Sequence, residues 1–149
     1  MDSNLTPRAT LSELIQICRD GQEGFLTAAE NVDADDIKLI LNEYSLQRAK
    51  FVGELQSASH ALGDSNPENS SSISGTMHRG WINLKIAVIG RDRYTILTEC
   101  EKGEESAVGA YKKLLLREIP TDVRHIVERQ YSAIQAAHNL VKALRDAES

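Results

Sequence analysis

Four long segments of the chain carry apolar residues at the three- and four-residue spacing of one helix face, and no proline interrupts any of them. The prolines stand at positions 7, 67 and 120, outside the periodic segments. The first stripe runs through Leu11, Ile15, Cys18, Phe25, Ala29 and Val32. Because no β-type alternation of any length occurs, the pattern predicts an all-α protein.

The boundaries of these helices follow from caps and turns. Thr10 to Glu13 has the pattern of a capping box, so the first helix should begin at Thr10. A second should begin at Asp33, a third should run from Asp92 to Arg117, and the last should follow Pro120 and end near Arg145. We expect residues 1–9 to be flexible and residues 10–147 to form one domain.

The two halves of the chain are joined by a long polar connection. Residues 63–75 are rich in Ser and Asn and should form a loop, and a shorter helix should follow from Thr76 to Ile89. Each half should be an antiparallel hairpin, because the junctions near Asp33 and Pro120 are short. Two hairpins joined by a long link predict a ferritin-like four-helix bundle, whose crossover contains a short extra helix.

Composition excludes several classes of protein. The chain has 149 residues, 41% of them hydrophobic and 26% charged, with a formal charge of −5. This charge argues against a nucleic-acid partner, and no apolar run has the length of a membrane span. The N-terminus lacks a signal-peptide pattern, so we expect a cytoplasmic protein. Cys18 and Cys100 should be small buried hydrophobes, since no Cys-x-x-Cys pair occurs.

Two glutamates fall where a core should be dry. The stripe of Leu97, Val108, Tyr111 and Leu115 continues through Glu101 and Glu104. Carboxylates rarely enter a helix interface without a positive or protonated partner. Counting turns from the helix ends predicts one polar layer that contains Gln22, Tyr44, Arg48, Glu101, Glu104, Gln135 and His138, with Gln130 and Glu105 at its flanks.

Three interpretations of this layer are open. It could bind iron, manganese or zinc through Glu101, Glu104, Glu105 and His138, with Glu23 or Glu54 as a further carboxylate. Gln135 stands where the Glu-x-x-His motif of di-iron bundles has its acid, however, so this ligand set is depleted. Alternatively, Arg48 could hold Glu101 or Glu104 in a bidentate ion pair, which is the interpretation that we favour. The polar groups could also face solvent or another subunit.

The order of short motifs along the chain resembles a known family. These motifs are Asp20-Gly21 with Gly24-Phe25, Arg48-x-x-Phe51-x-x-Glu54-Leu55, His78-Arg79-Gly80-Trp81, the run from Glu99 to Glu105 with Tyr111, and finally Gln130 and His138. Together they resemble a bacterial family of uncharacterised ferritin-like four-helix bundles, a domain of unknown function of the PA-2169 type. The resemblance implies a ferritin-like fold from about Leu11 to Arg145. It implies no settled activity.

The function expected from these observations is that of a non-enzymatic cytoplasmic scaffold or stress-associated protein. The apolar excess at Leu39, Ile40, Leu114 and Leu116 suggests a homo-oligomer, either a dimer or a larger ring. One alternative is a di-metal oxidoreductase or metal-storage protein, which leaves open whether the chain is an enzyme. A second alternative is a helical module that binds a partner.

Overall fold

The protein is all-α, as the periodicity predicts. A computed structural model describes residues 7–63, 80–81, 83–90 and 92–148, with side chains from residue 9 onward. Within these ranges the helices are α1 (Pro7–Asn31), α2 (Asp35–Ala61), α3 (Leu84–Gly90), α4 (Arg93–Leu115) and α5 (Thr121–Asp146). No strand occurs in the described part of the chain.

The four long helices pack as a bundle in which each helix has two long neighbours. α1 lies along α2, α4 lies along α5, and the two pairs meet through contacts of α1 with α4 and of α2 with α5. The short helix α3 packs on α1 and α4. Because α2 and α4 are diagonal to each other, only a long side chain can join them across the centre.

The connection between the two hairpins joins opposite ends of the bundle. Leu62, just after α2, lines the same cavity as Pro120 and Val123 at the start of α5. Arg93, the first residue of α4, forms an ion pair with Glu148, just after the end of α5. Helix α5 has 26 residues, a length of about 39 Å at 1.5 Å per residue. The chain between Leu62 and Arg93 therefore connects positions that are one bundle length apart.

The apolar core is divided into two clusters by a polar layer. One cluster contains Ile15, Cys18, Phe51 and Tyr111, and the other contains Phe25, Leu41, Trp81 and Cys100, each with further members. Buried Arg48 and Glu104 fall between the clusters along α2 and α4. The apolar faces of α2 and α4 are therefore interrupted by charged residues at one level of the bundle.

Two predicted helix starts are wrong. α1 already includes Pro7, so Thr10 lies inside the helix and cannot cap it. The backbone N–H groups of a first turn have no partner within the helix, so proline, which lacks this group, is suited to an early position such as 7. The second helix begins at Asp35 with Ala34 as its N-cap, and no side chain caps it. Asp92 does cap α4, because its side chain accepts a hydrogen bond from the Thr95 amide at 3.1 Å.

The predicted helix from Thr76 to Ile89 is shorter where it is described. It starts at Leu84, while Thr76 to Arg79 and residues 64–75 of the predicted polar loop lie outside the described residues. Gly80 has a φ of 96° and Trp81 is not helical, so a turn precedes the helix. A positive φ of this size favours glycine over residues with a side chain.

Among the described residues, no helix combines the length and the apolar content that crossing a membrane requires.

Candidate functional site

A buried ion pair joins α2 and α4 through the centre of the bundle. Arg48 donates from Nη1 and Nη2 to the two carboxylate oxygens of Glu104, both at 2.7 Å. The two side chains are only 1% and 0% exposed. This bidentate geometry matches the planar guanidinium to both oxygens and offsets the cost of burying each charge.

Helix α1 supplies the surfaces that hold the guanidinium in place. The Phe25 ring lies 5.3 Å from Arg48 Cζ, within range of a cation–π interaction. A Cβ atom at position 21 would lie 3.0 Å from Arg48 Nη1, so Gly21 leaves room for the charge. Burial lowers the pKa of Arg48, but the Glu104 carboxylate more than offsets this, and the pKa is raised above its ordinary value.

Trp81 covers one side of this centre. Its indole fits between two helical glycines, because Cβ atoms at Gly24 and Gly103 would lie 2.2 Å and 2.1 Å from ring atoms. The ring packs edge-on against Phe25, with centroids 5.0 Å apart. Trp81 thus supports Phe25, whose ring lies against the Arg48 guanidinium.

A series of hydrogen bonds between side chains runs through the apolar cluster that contains Cys18 and Tyr111. Cys18 Sγ lies 3.2 Å from the Tyr111 hydroxyl, which donates to Gln130 Oε1 at 2.7 Å. Gln130 Nε2 donates to Glu54 Oε1 at 2.8 Å, and Arg129 also reaches that oxygen at 3.2 Å. The series links all four long helices and ends at the surface.

In this series of hydrogen bonds, the Cys18 thiol and the Tyr111 phenol remain protonated at neutral pH. Burial raises the pKa of Cys18 to about 11, although nearby Arg48 opposes the shift. Burial also raises the pKa of Tyr111 well above its ordinary value. Both groups therefore serve as hydrogen-bonding partners rather than as nucleophiles or bases.

A third group of polar side chains lies on the seam between α4 and α5. His138 Nε2 is 3.4 Å from Glu101 Oε2 and 3.8 Å from Glu105 Oε2. Arg145 Nη1 contacts the other oxygen of Glu101 and also pairs with Asp146 at 2.9 Å. We call Glu101, Glu105 and His138 the seam cluster, since one ligand atom from each lies within 4.8 Å of the others.

The residues of the predicted layer are therefore divided between separate environments. Arg48 meets Glu104, while Glu101 and His138 belong to the seam cluster. Gln22 and Tyr44 are half-buried; the Gln22 carbonyl accepts a hydrogen bond from Ser45, and Tyr44 packs on Phe25.

The placement of Gln135 in the core is wrong, because its side chain is exposed. The buried face of α5 runs through Gln130, Ile134, Ala137 and Val141. Since each residue turns the helix by about 100°, the position after Ile134 leaves that face.

The six carboxylate and imidazole ligands considered for a di-metal centre are not brought together. Glu23 is exposed on α1, and Glu54 is engaged by Gln130 and Arg129. Both oxygens of Glu104 are occupied by Arg48. Only the three residues of the seam cluster share one small volume.

Arg145 and Tyr111 are among the site residues whose polar contacts the sequence did not predict. Arg145 follows His138 by seven residues, a spacing that puts both on one helix face and could have revealed it. Tyr111 is correctly placed in the apolar stripe, but its hydroxyl partners lie on other helices. No pattern within one helix could identify those partners.

Comparison with known families matches residues 7–117 to the model of a domain of unknown function, DUF2383. The match covers α1 to α4 and includes Arg48, Glu101 and Glu104, while His138 and Arg145 lie beyond it. No curated protein matches the chain. Because the matched region is more than half of the sequence, the chain belongs to the DUF2383 family of domains of unknown function.

Proposed function

We propose that the protein is a ferritin-like bundle with a non-catalytic, structural role, and that it serves as a cytoplasmic scaffold. Ferritin-like enzymes place metal ions between the carboxylates at the bundle centre. In this protein, Arg48 supplies the positive charge at that place.

The observation that carries the proposal is the geometry of Glu104. Its two oxygens each accept a 2.7 Å hydrogen bond from one guanidinium, and neither side chain reaches solvent. A metal ion at Glu104 would have to displace a permanent, fully buried charge, which would then lose its only strong partner among the described residues. Removing one member of such a pair is strongly unfavourable.

The chain path supports the ferritin-like assignment. α1 and α4 run antiparallel, since Cys18 meets Tyr111 whereas Gly24 and Gly103 meet across Trp81. α2 and α5 are also antiparallel, because Glu54 meets Gln130 and, farther along, Leu62 and Val123 line one cavity. Two hairpins in this arrangement require one long crossover, as in ferritin-like bundles.

Metal analysis of the purified protein and its Glu104→Gln variant tests the proposal. After reconstitution with Fe²⁺ or Mn²⁺, we expect no bound metal that depends on Glu104, and a large loss of stability in the variant. The matched control is Glu43→Gln, an exposed carboxylate on α2. Two metal ions per chain that disappear with Glu104→Gln would instead support a di-metal oxidoreductase or storage protein.

A second candidate, a module that binds another copy of itself, is favoured by an apolar strip on α2. Leu39 and Leu46 are seven residues apart and are 62% and 72% exposed. A spacing of seven puts both on one side of the helix. Sedimentation at several concentrations should show self-association that Leu39→Ser weakens, with Leu140→Ser, at an exposed leucine on α5, as control. A mass that stays monomeric would contradict this candidate.

A further inference from the structure

We infer that the seam cluster is a binding site for one first-row divalent transition-metal ion, with Glu101, Glu105 and His138 as ligands and Arg145 as a competing internal cation. This site is separate from the Arg48–Glu104 centre, and the inference does not rest on the proposed scaffold role.

The first argument is the distance between the ligand atoms. His138 Nε2 is 3.4 Å and 3.8 Å from one oxygen of each glutamate. Around a tetrahedral ion with bonds of about 2.0–2.2 Å, neighbouring ligand atoms are about 3.3–3.6 Å apart. The two histidine–glutamate distances are therefore within a few tenths of an ångström of those around an ion, and all three ligand atoms lie within 4.8 Å of one another.

The second argument is the state of the imidazole. His138 Nε2 is buried, yet it makes no hydrogen bond to the described residues. The other ring nitrogen, Nδ1, lies 3.3 Å from Asn139 Oδ1. A proton on Nδ1, donated to that oxygen, directs the Nε2 lone pair toward two carboxylates, an arrangement that a cation between them would stabilise.

The chemistry of the ligands selects the class of ion. Carboxylates alone would suit Mg²⁺, Ca²⁺ or Mn²⁺, but an imidazole nitrogen favours Zn²⁺, Cu²⁺, Fe²⁺ or Ni²⁺. Three protein ligands leave at least one position open. Glu105 is exposed, so an ion can enter from solvent, while the Glu101 side chain is only 10% exposed and anchors the inner side.

Arg145 determines how strongly the site binds. Its guanidinium contacts Glu101 Oε1 and also pairs with Asp146. An incoming ion would compete with this contact for the charge of Glu101, and Arg145 can retain Asp146 when it yields. The site is thus already partly neutralised in the absence of an ion.

Calorimetric titration of the full chain with Zn²⁺ tests the inference. We expect one ion per chain. His138→Gln and Glu105→Gln should each lower the affinity by at least about tenfold, since loss of a residue that only hydrogen-bonds to a ligand already costs this much. His125→Gln, an exposed histidine on the same helix, is the matched control and should bind like the parent. Arg145→Gln should bind Zn²⁺ more tightly by up to about fivefold, a change in affinity that corresponds to the free energy of a partly exposed ion pair.

Several outcomes would overturn the site. Absence of Zn²⁺ binding would overturn the proposed site. Binding that survives both His138→Gln and Glu105→Gln would place the ion elsewhere, and unchanged or weaker binding by Arg145→Gln would remove the competing role. The Co²⁺ absorption spectrum gives a readout of nitrogen ligation, and thermal unfolding of each metal-free variant checks its fold. A metal that depends on Glu104 but not on Glu105 would contradict the scaffold proposal instead.

Discussion

Glu104 and Glu101 lie one turn apart on the same helix, but their charges are balanced in different ways. Glu104 is fully buried and meets a single arginine with both oxygens. Glu101 lies on the α4–α5 seam, where it contacts Arg145 and His138, whose side chains are both partly exposed. The inner position therefore has a fixed partner, whereas the outer position has partners that can be exchanged.

The difference follows from burial. A charge in a dry interior must have a permanent partner, because no water can replace it. A buried carboxylate whose partners reach solvent can lose one of them at smaller cost, because water can solvate the partner that is released. A structural role suits Glu104, and reversible ion binding suits Glu101.

The largest expected effect is that of Glu104→Gln. The neutral amide cannot balance Arg48, so a buried charge is left unpaired and the free energy of unfolding should fall by about 3–5 kcal/mol. Urea unfolding measures this. The neighbouring Glu105→Gln, which changes an exposed side chain, should stay within about 0.5 kcal/mol of the parent. Similar losses for the two variants would contradict the comparison.

Alkaline pH should lower the free energy of unfolding through the Cys18 thiol. The folded state raises the pKa of this thiol from 9.0 to about 11. Above pH 9 only the unfolded state releases the proton, so stability is constant below pH 9 and falls between pH 9 and about 11. At 1.36 kcal/mol per pKa unit, the loss is at most about 3 kcal/mol. The fall over this range should be shallower in Cys18→Ala, and equal slopes would refute the assignment.

Gly103→Ala tests whether the Trp81 indole fits tightly between Gly24 and Gly103, a space that we call the Trp81 slot. The added Cβ would lie 2.1 Å from Trp81 Cε2, so the indole must move, at a cost of about 1–3 kcal/mol. The fluorescence of this single tryptophan should shift to the red. Gly109→Ala, on the same helix with nothing within 4 Å, should instead stabilise the protein by up to about 1 kcal/mol. Equal effects at the two glycines would show that the slot is not tight.

The smallest expected effect is that of Glu101→Gln in the absence of metal. This carboxylate is itself buried, but its partners Arg145 and His138 are 18% and 17% exposed and can turn to Asp146 or water, so stability should change by less than about 1 kcal/mol. The difference should shrink further in 0.5 M NaCl. A loss as large as that of Glu104→Gln would mean that the two glutamates do not differ in the way their environments suggest.

Much of this arrangement is visible in the sequence, because helix periodicity depends only on local spacing. It predicts the all-α class and the stripe that α1 buries, and the stripe from Leu97 to Leu115 is enough to identify Glu101 and Glu104 as interruptions. Arg48 is identified as a partner for either glutamate because its planar charge can hold a carboxylate through two hydrogen bonds.

The choice of partner could not be predicted, because it depends on how the helices are rotated and at what height they meet. Arg48 reaches Glu104 across the diagonal, whereas Glu101 turns toward α5. An error of one residue in the face of α5 placed Gln135 inside. The Trp81 slot depends on two glycines in different helices and a turn at Gly80, which no single periodic pattern contains.

A double-mutant cycle on Arg48→Met and Glu104→Leu, followed by urea unfolding with chelator present, tests most directly whether the two charges balance each other. Each single variant should lose about 3–5 kcal/mol, and the double variant should return to within about 1 kcal/mol of the parent, because a matched apolar pair leaves no buried charge. A double variant whose loss equals the sum of the two single losses would contradict the claim that Arg48 neutralises Glu104.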